Sequence, residues 1–261
     1  MDILALKLVL TPVLIGAASL AGRRWGQGVG GWLVGLPLTA GPVAFFLALE
    51  YGPGAAAASA RGSLAGVIAE AAFCLGYGWA ARLVSWPLCV LAGTLSFAAV
   101  AVVLQQFELH LLPVFLCAMA SLAAIILVMP RGGGTVAAAP ILRWDIPARM
   151  VVATALVLVL TGAAPELGAG LSGMLATFPV FAGTLTVFAH RLLGAGAALG
   201  VLRGLLFGLF SFAGFFPVLA ALVERAGVAV AFAAAIAVSL AVQGGTLWLV
   251  RRDARRSVLR S

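Results

Sequence analysis

The chain has 261 residues, of which 64% are hydrophobic and 9% charged, and its mean hydropathy is +1.18. No water-soluble core of this length can hold so much apolar side chain, so an ordinary cytosolic domain is excluded and the chain belongs in a bilayer. The formal charge of +8 does not point to nucleic acid, because the arginines lie between apolar stretches, where they set membrane orientation.

A spanning helix needs about 20 apolar residues to cross a hydrocarbon layer about 30 Å thick. Nine stretches approach that length, at 3–21, 29–49, 59–80, 84–104, 109–129, 147–163, 171–190, 197–222 and 228–250. The expected fold class is therefore all-α, a polytopic membrane protein. The first stretch ends in AASLAG, like a signal-peptide cleavage site. An acidic Asp2 and a repeat partner in mid-chain make it a span instead. Arg23, Arg24, Arg82, Arg131, Arg143, Arg191, Arg251, Arg252, Arg255, Arg256 and Arg260 follow the odd-numbered spans and make up eleven of the sixteen basic residues. The opposite loops carry Glu50, Glu108, Glu166 and Glu224. The N-terminus is thus expected outside and the C-terminus in the cytoplasm. Cys74, Cys89 and Cys117 fall inside apolar stretches with no CxxC pair and read as small core residues.

Internal similarity organises the chain. WLVGLPLTAGPVAFFLALE at 32–50 is echoed by MLATFPVFAGTLTVFAHRL at 174–192, with Pro37, Ala40 and Gly41 answered 142 residues later by Pro179, Ala182 and Gly183. Between 26–66 and 168–208, 16 of 41 positions are identical without a gap, where this composition gives roughly 5 by chance. The period contains five spans, and an odd number inverts the second copy. The expected organisation is a first repeat of five helices (1–130), a cytoplasmic linker (131–146), an inverted second repeat of four helices (147–250) and a basic cytoplasmic tail (251–261). A tenth helix is missing from this five-plus-four arrangement.

Proline inside a helix removes a backbone hydrogen bond and clashes with the carbonyl one turn earlier, so Pro37, Pro42 and Pro179 are expected to break spans 2 and 7. Hydrocarbon tolerates freed backbone groups only where protein or water covers them. Matched breaks in inverted repeats point to a substrate site near the midplane, against the plainer reading of ordinary kinks. Thr39, Thr184 and Thr186 are the hydroxyls nearby, with Gly41 and Gly183 at the breaks. Arg61 and Arg203, also 142 apart in RGSLAG and RGLLFG, either anchor helix ends or meet an anionic substrate. Glu70 is the one carboxylate deep in a span, suited to proton coupling or to pairing with an arginine of another helix. Its counterpart is Phe212, so such a role is asymmetric. Glu50 and His190 read as solvated helix ends.

FPVFAGTLTVFAH followed by GAGAALGVLRGLLFGLFSFAGFFP resembles the GlpM family of small bacterial inner-membrane proteins, in which a Pro-containing helix ending in Ala-His precedes a helix that begins with an arginine. Here those positions are Pro179, Ala189, His190 and Arg203. The resemblance implies a fused tandem of two such units in a bacterial inner membrane, and a link to envelope polysaccharide or glycerol-related metabolism. An enzyme is not expected. Gly170-Leu171-Ser172-Gly173 matches the GxSG of intramembrane serine proteases, but His190 is 18 residues on in the same span, about 27 Å away and out of reach. There is no HExxH, no carboxylate cluster and no cofactor motif. The expected function is secondary transport of a small or amphiphilic anion by alternating access, with Pro37, Thr39, Gly41, Pro42, Arg61, Pro179, Gly183, Thr184 and Arg203 at the substrate and Glu70 coupling. The rival is a non-transporting subunit that supports envelope polysaccharide or lipid biosynthesis. The expected partners are the bilayer, the substrate and a second copy of the chain, with no cofactor.

Overall fold

Apolar stretches without internal turn signals fold as helices because each backbone group then finds its partner within its own segment. In the computed structural model, which describes residues 3–107, 110–131, 144–163 and 178–258, no strand occurs among the described residues. The helices are α1 (Ile3–Trp25), α2 (Gln27–Val34), α3 (Ala40–Tyr51), α4 (Pro53–Ala80), α5 (Trp86–Leu104), α6 (Leu111–Val128), α7 (Asp145–Ala163), α8 (Val180–Leu193), α9 (Ala195–Leu222) and α10 (Val228–Val258). Among the described residues five helices are long and apolar enough to cross a membrane: α4, α5, α6, α9 and Val228–Val250 of α10. Helices α3 and α8 are apolar but shorter. Leu88, Leu91 and Leu95 of α5 and Leu112, Leu116 and Leu127 of α6 are exposed, as expected of helices that meet lipid on an outer face.

Span 2, expected over 29–49 with a proline break, is two helices joined through residues 35–39. One sequence expectation changes. The expected basic tail continues α10 to Val258, since no Gly or Pro lies between Val250 and Val258 to stop it. Pro147, the first residue of the expected span 147–163, sits in the first turn of α7, where its missing N–H costs nothing. Residues 132–143 of the linker, along with Glu108, Glu166 and Ser172, lie outside the described residues.

The core is built on α4 and α9. These two run antiparallel, with Gly78 against Leu199 at one end and Gly54 near Glu224 at the other. Helices α1 and α7 are also antiparallel, since Gly16 lies near Met150 while Arg23 pairs with Asp145. Helix α2 lies against α9 through glycines: Gly28 meets Gly204, Gly31 meets the carbonyl of Val201, and Gly35 meets Gly208. A Cβ on Gly31, Gly35, Gly204 or Gly208 would collide with backbone, so the seam holds two helices closer than alanine permits.

Element boundaries recur at the sequence offset. Ile3 and Asp145, Pro53 and Ala195, and Trp86 and Val228 begin helices; Tyr51 and Leu193, and Ala80 and Leu222, end them. Each member of a pair stands 142 residues from the other. Gly52 and Gly194 link short helix to long with φ of 86° and 90°, a left-handed geometry that a side chain would strain.

Candidate functional site

The two breaks have one local geometry. Around Pro37 the N–H of Leu38 donates to the carbonyl of Leu36 at 2.8 Å, and that of Gly41 to the carbonyl of Pro37 at 2.9 Å. Around Pro179 the N–H of Val180 donates to Phe178 at 2.8 Å, and that of Gly183 to Pro179 at 2.7 Å. Pro179 has φ −76° and ψ 62°, an inverse γ-turn, whose tight two-residue hydrogen bond replaces the helical one that proline prevents. Both prolines are buried. Pro42 falls in the first turn of α3, where it starts a helix and breaks none. What precedes Phe178 in span 7 lies outside the described residues.

The breaks also exchange a contact. A Cβ on Gly41 would lie 3.6 Å from the ring of Phe215, and one on Gly183 3.8 Å from the ring of Phe73. Each glycine therefore packs on a phenylalanine from the other half of the chain, and the two phenylalanines are themselves 142 residues apart.

A cavity of about 60 Å³ lies beside the first break. It is lined by Leu14, Ala17 and Ala18 of α1, Leu33 and Val34 of α2, Leu36, Leu38 and Thr39 of the first break, and Phe181 just beyond the second. Ala17 and Leu38 on its rim are exposed. Thr39 is its single polar lining side chain among the described residues. The rest of its lining is apolar. Thr184 and Thr186 in α8 are buried, and their hydroxyls have no partner among the described residues.

The arginines do not line this cavity. Arg203, 5% exposed, donates from Nη1 to the carbonyls of Ile126 at 3.0 Å and Met129 at 3.3 Å. It thus satisfies carbonyls at the end of α6, where no helical N–H follows. The half-buried Arg61 has no hydrogen-bond or ion-pair partner among the described residues. Glu70, half-buried on α4, is likewise absent from the cavity lining. His190, expected as a solvated helix end, accepts or donates a 3.0 Å hydrogen bond between its Nδ1 and the hydroxyl of the fully buried Tyr77.

Two polar clusters were not singled out from the sequence. Asp145 holds Arg149 through paired 2.9 Å hydrogen bonds and Arg23 through a third, with Arg149 also stacked on Phe188. Gln243 donates to the carbonyl of Trp32 at 2.9 Å, and the Trp32 indole donates to Thr246 at 3.1 Å. The Trp32 carbonyl is released because α2 stops at Val34, so Gln243 repairs a consequence of the first break. The signal available in sequence was Gln243 itself, an amide in an apolar span. Among the described residues no group of three His, Cys, Asp or Glu gathers as a metal site. Compared with family models, curated proteins and solved structures, the chain matches none.

Proposed function

We propose that the chain is an inner-membrane carrier of an amphiphilic, lipid-like anion, with the apolar part of the substrate held between the two proline breaks. The observation that carries this reading is the cavity bounded by Leu36, Leu38 and Thr39 on one side and Phe181 on the other. The first of the two turns lines it and Phe181, just beyond the second, borders it; a backbone freed from helix beside a cavity is the arrangement that membrane carriers use at their substrate sites. Its apolar lining favours the amphiphilic over the small-anion form of the substrate. Pro37, Thr39, Gly41, Pro42, Pro179, Gly183 and Thr184 form or flank the breaks, whereas Arg203 supports α6.

The chain in this reading is an inverted repeat of nine spans, a tandem of two GlpM-like units, with its N-terminus outside and its C-terminus in the bacterial cytoplasm. Inversion is supported by the antiparallel course of the offset-matched pairs α1/α7 and α4/α9 and by the exchanged contacts of Gly41 and Gly183. A two-fold relation requires that a contact from one half to the other recur with the roles reversed. Glu70 would couple transport to protons, on one half only.

Proteoliposomes loaded with a short-chain, fluorescently tagged anionic phospholipid test the proposal. Protein-dependent translocation is expected, and Ala17→Trp at the cavity rim should lower it about ten-fold or more while the protein elutes as the parent does. Translocation equal to that of empty liposomes, or untouched by Ala17→Trp, overturns the reading. The alternative, a non-transporting subunit of an envelope-synthesis complex, gains support from Arg61, which has no partner among the described residues.

A further inference from the structure

The cavity beside the first break has its rim on the side of α1, part-way along that helix. Of the residues that line it, Ala17 and Leu38 are exposed. Ala17 stands eight residues before Trp25, where α1 ends, a rise of about 12 Å. That depth falls inside a hydrocarbon half-layer of about 15 Å, so the rim meets acyl chains and not water. The volume of about 60 Å³ has room for about four water-sized groups. It accepts the end of one chain and not the body of a lipid.

Helix α1 supplies the course that the rest of such a lipid would follow. Val13, Ala17, Leu20 and Arg24 are exposed, and their spacing puts them on one helix face. The face runs from apolar side chains to a guanidinium, with the small Ala17 at the level of the cavity. Arg24 lies seven residues beyond Ala17, about 10 Å further toward the end of the helix. The two arginines there differ in their engagements. Arg23 is bound to Asp145, whereas Arg24 has no hydrogen-bond or ion-pair partner among the described residues and lies over the Trp25 ring, 5.4 Å from its centroid. Trp79, Trp86, Trp144 and Trp248 are exposed at the same end of the bundle, where Gly28 lies beside Gly200 and Gly78 beside Leu199. Tryptophans gathered at one end mark the level of the lipid headgroups.

We infer that α1 receives an anionic phospholipid from the leaflet at this end, its phosphate on Arg24 and the end of one acyl chain turned into the cavity past Ala17 and Leu38. The inference rests on the carrier reading and adds to it the entrance and the headgroup contact. The lengths agree. A chain that spans a half-layer of about 15 Å runs about 10 Å from Arg24 to Ala17, which leaves about 5 Å to enter the cavity. A guanidinium offers a phosphate paired N–H donors while its flat face stays on an aromatic ring. A zwitterionic lipid brings the same phosphate with an ammonium beside it, and that second charge repels Arg24. An anionic headgroup is therefore preferred.

The test is photo-labelling of the full chain in phosphatidylcholine nanodiscs that contain a minor fraction of phosphatidylglycerol with a diazirine at the end of one acyl chain. Adducts mapped by mass are expected at Val34 or Phe181 inside the cavity, alongside general lipid labelling of the exposed Leu91 on α5. Arg24→Gln should lower the cavity adducts about ten-fold or more, the scale of losing hydrogen bonds to a charged group, and leave those at Leu91 unchanged. Arg24→Lys, which keeps the charge, should retain most of them. The same probe with a choline headgroup should label the cavity several-fold less, a comparison made on the parent chain and so independent of how any variant folds. No cavity adduct, cavity adducts indifferent to Arg24→Gln, or equal labelling by the choline probe would mean annular lipid only and overturn the inference. Its failure is separable from that of the carrier. Translocation without cavity adducts removes only the entrance along α1, whereas no translocation removes the carrier whatever the adducts.

Discussion

Arg203 and Gly204 are neighbours with opposite requirements, one reaching outward for acceptors and the other excluding any side chain. Removing the guanidinium leaves the carbonyls of Ile126 and Met129 without it, and hydrogen bonds to a charged group contribute roughly 1.5–3 kcal/mol. Arg203→Met is therefore expected to lower the unfolding midpoint in detergent or lipid nanodiscs, with Arg203→Lys recovering part of the loss. A variant that kept full stability and lost only translocation would return Arg203 to the substrate. At Gly204 a methyl group would meet the backbone of Gly28, and backbone cannot move aside as a side-chain end can. Gly204→Ala should cost about 1–3 kcal/mol by overpacking. Gly62→Ala, which meets open space, should be neutral or stabilise by up to about 1 kcal/mol, since glycine inside a helix is unfavourable relative to alanine. Thermal unfolding of the two variants in parallel measures the contrast.

Among the elements, α2 and α3 show what a proline break does to a span. Pro37 prevents a helical hydrogen bond, the chain turns through residues 35–39, and the exposed carbonyl of Trp32 is taken by Gln243 from α10. Proline inside a helix costs about 3 kcal/mol, so Pro37→Ala removes much of the reason for the break. The expected outcome is slower amide hydrogen exchange at Leu38 and Thr39, an unfolding midpoint unchanged or raised, and translocation reduced about ten-fold. Unaltered exchange would mean that packing, not proline, shapes the turn. These breaks were legible in sequence because proline acts on its own backbone, and the helix positions were legible because apolar length is local information. The bonds that join elements were not. Tyr77 and His190 are 113 positions apart, and Gln243 and Trp32 are 211 apart, so no spacing rule pairs them. Arg203 was read as a substrate ligand because its sequence shows a charge in a span but cannot show that α6 ends beside it. The closeness of α2 and α9 was written in their glycines, at 28, 31 and 35 and at 200, 204 and 208, yet glycine spacing alone does not say which helix is the partner.

At the scale of the whole molecule, the two halves have matching helix boundaries, and their long helices α4 and α9 lie antiparallel in the core. The seam of α2 on α9 ties a piece of the first half to the second, so rocking between halves cannot separate these two helices without opening glycine contacts at three levels. Movement is therefore expected in α8, which is bounded by the turn at Pro179 and by Gly194, and is tied to α4 by the His190–Tyr77 hydrogen bond. Tyr77→Phe removes that bond and should speed hydrogen exchange along α8 while leaving α9 unchanged. An equal effect on both helices would contradict α8 as the moving part. All of this depends on the halves being inverted in the lipid. The most direct measurement places single cysteines at Gly52 and Gly194 in a chain otherwise free of cysteine, and labels sealed, oriented vesicles with a membrane-impermeant thiol reagent. The expected result is labelling of position 52 from outside only and of position 194 from inside only. Labelling of both from the same side would contradict the inverted repeat and, with it, the carrier.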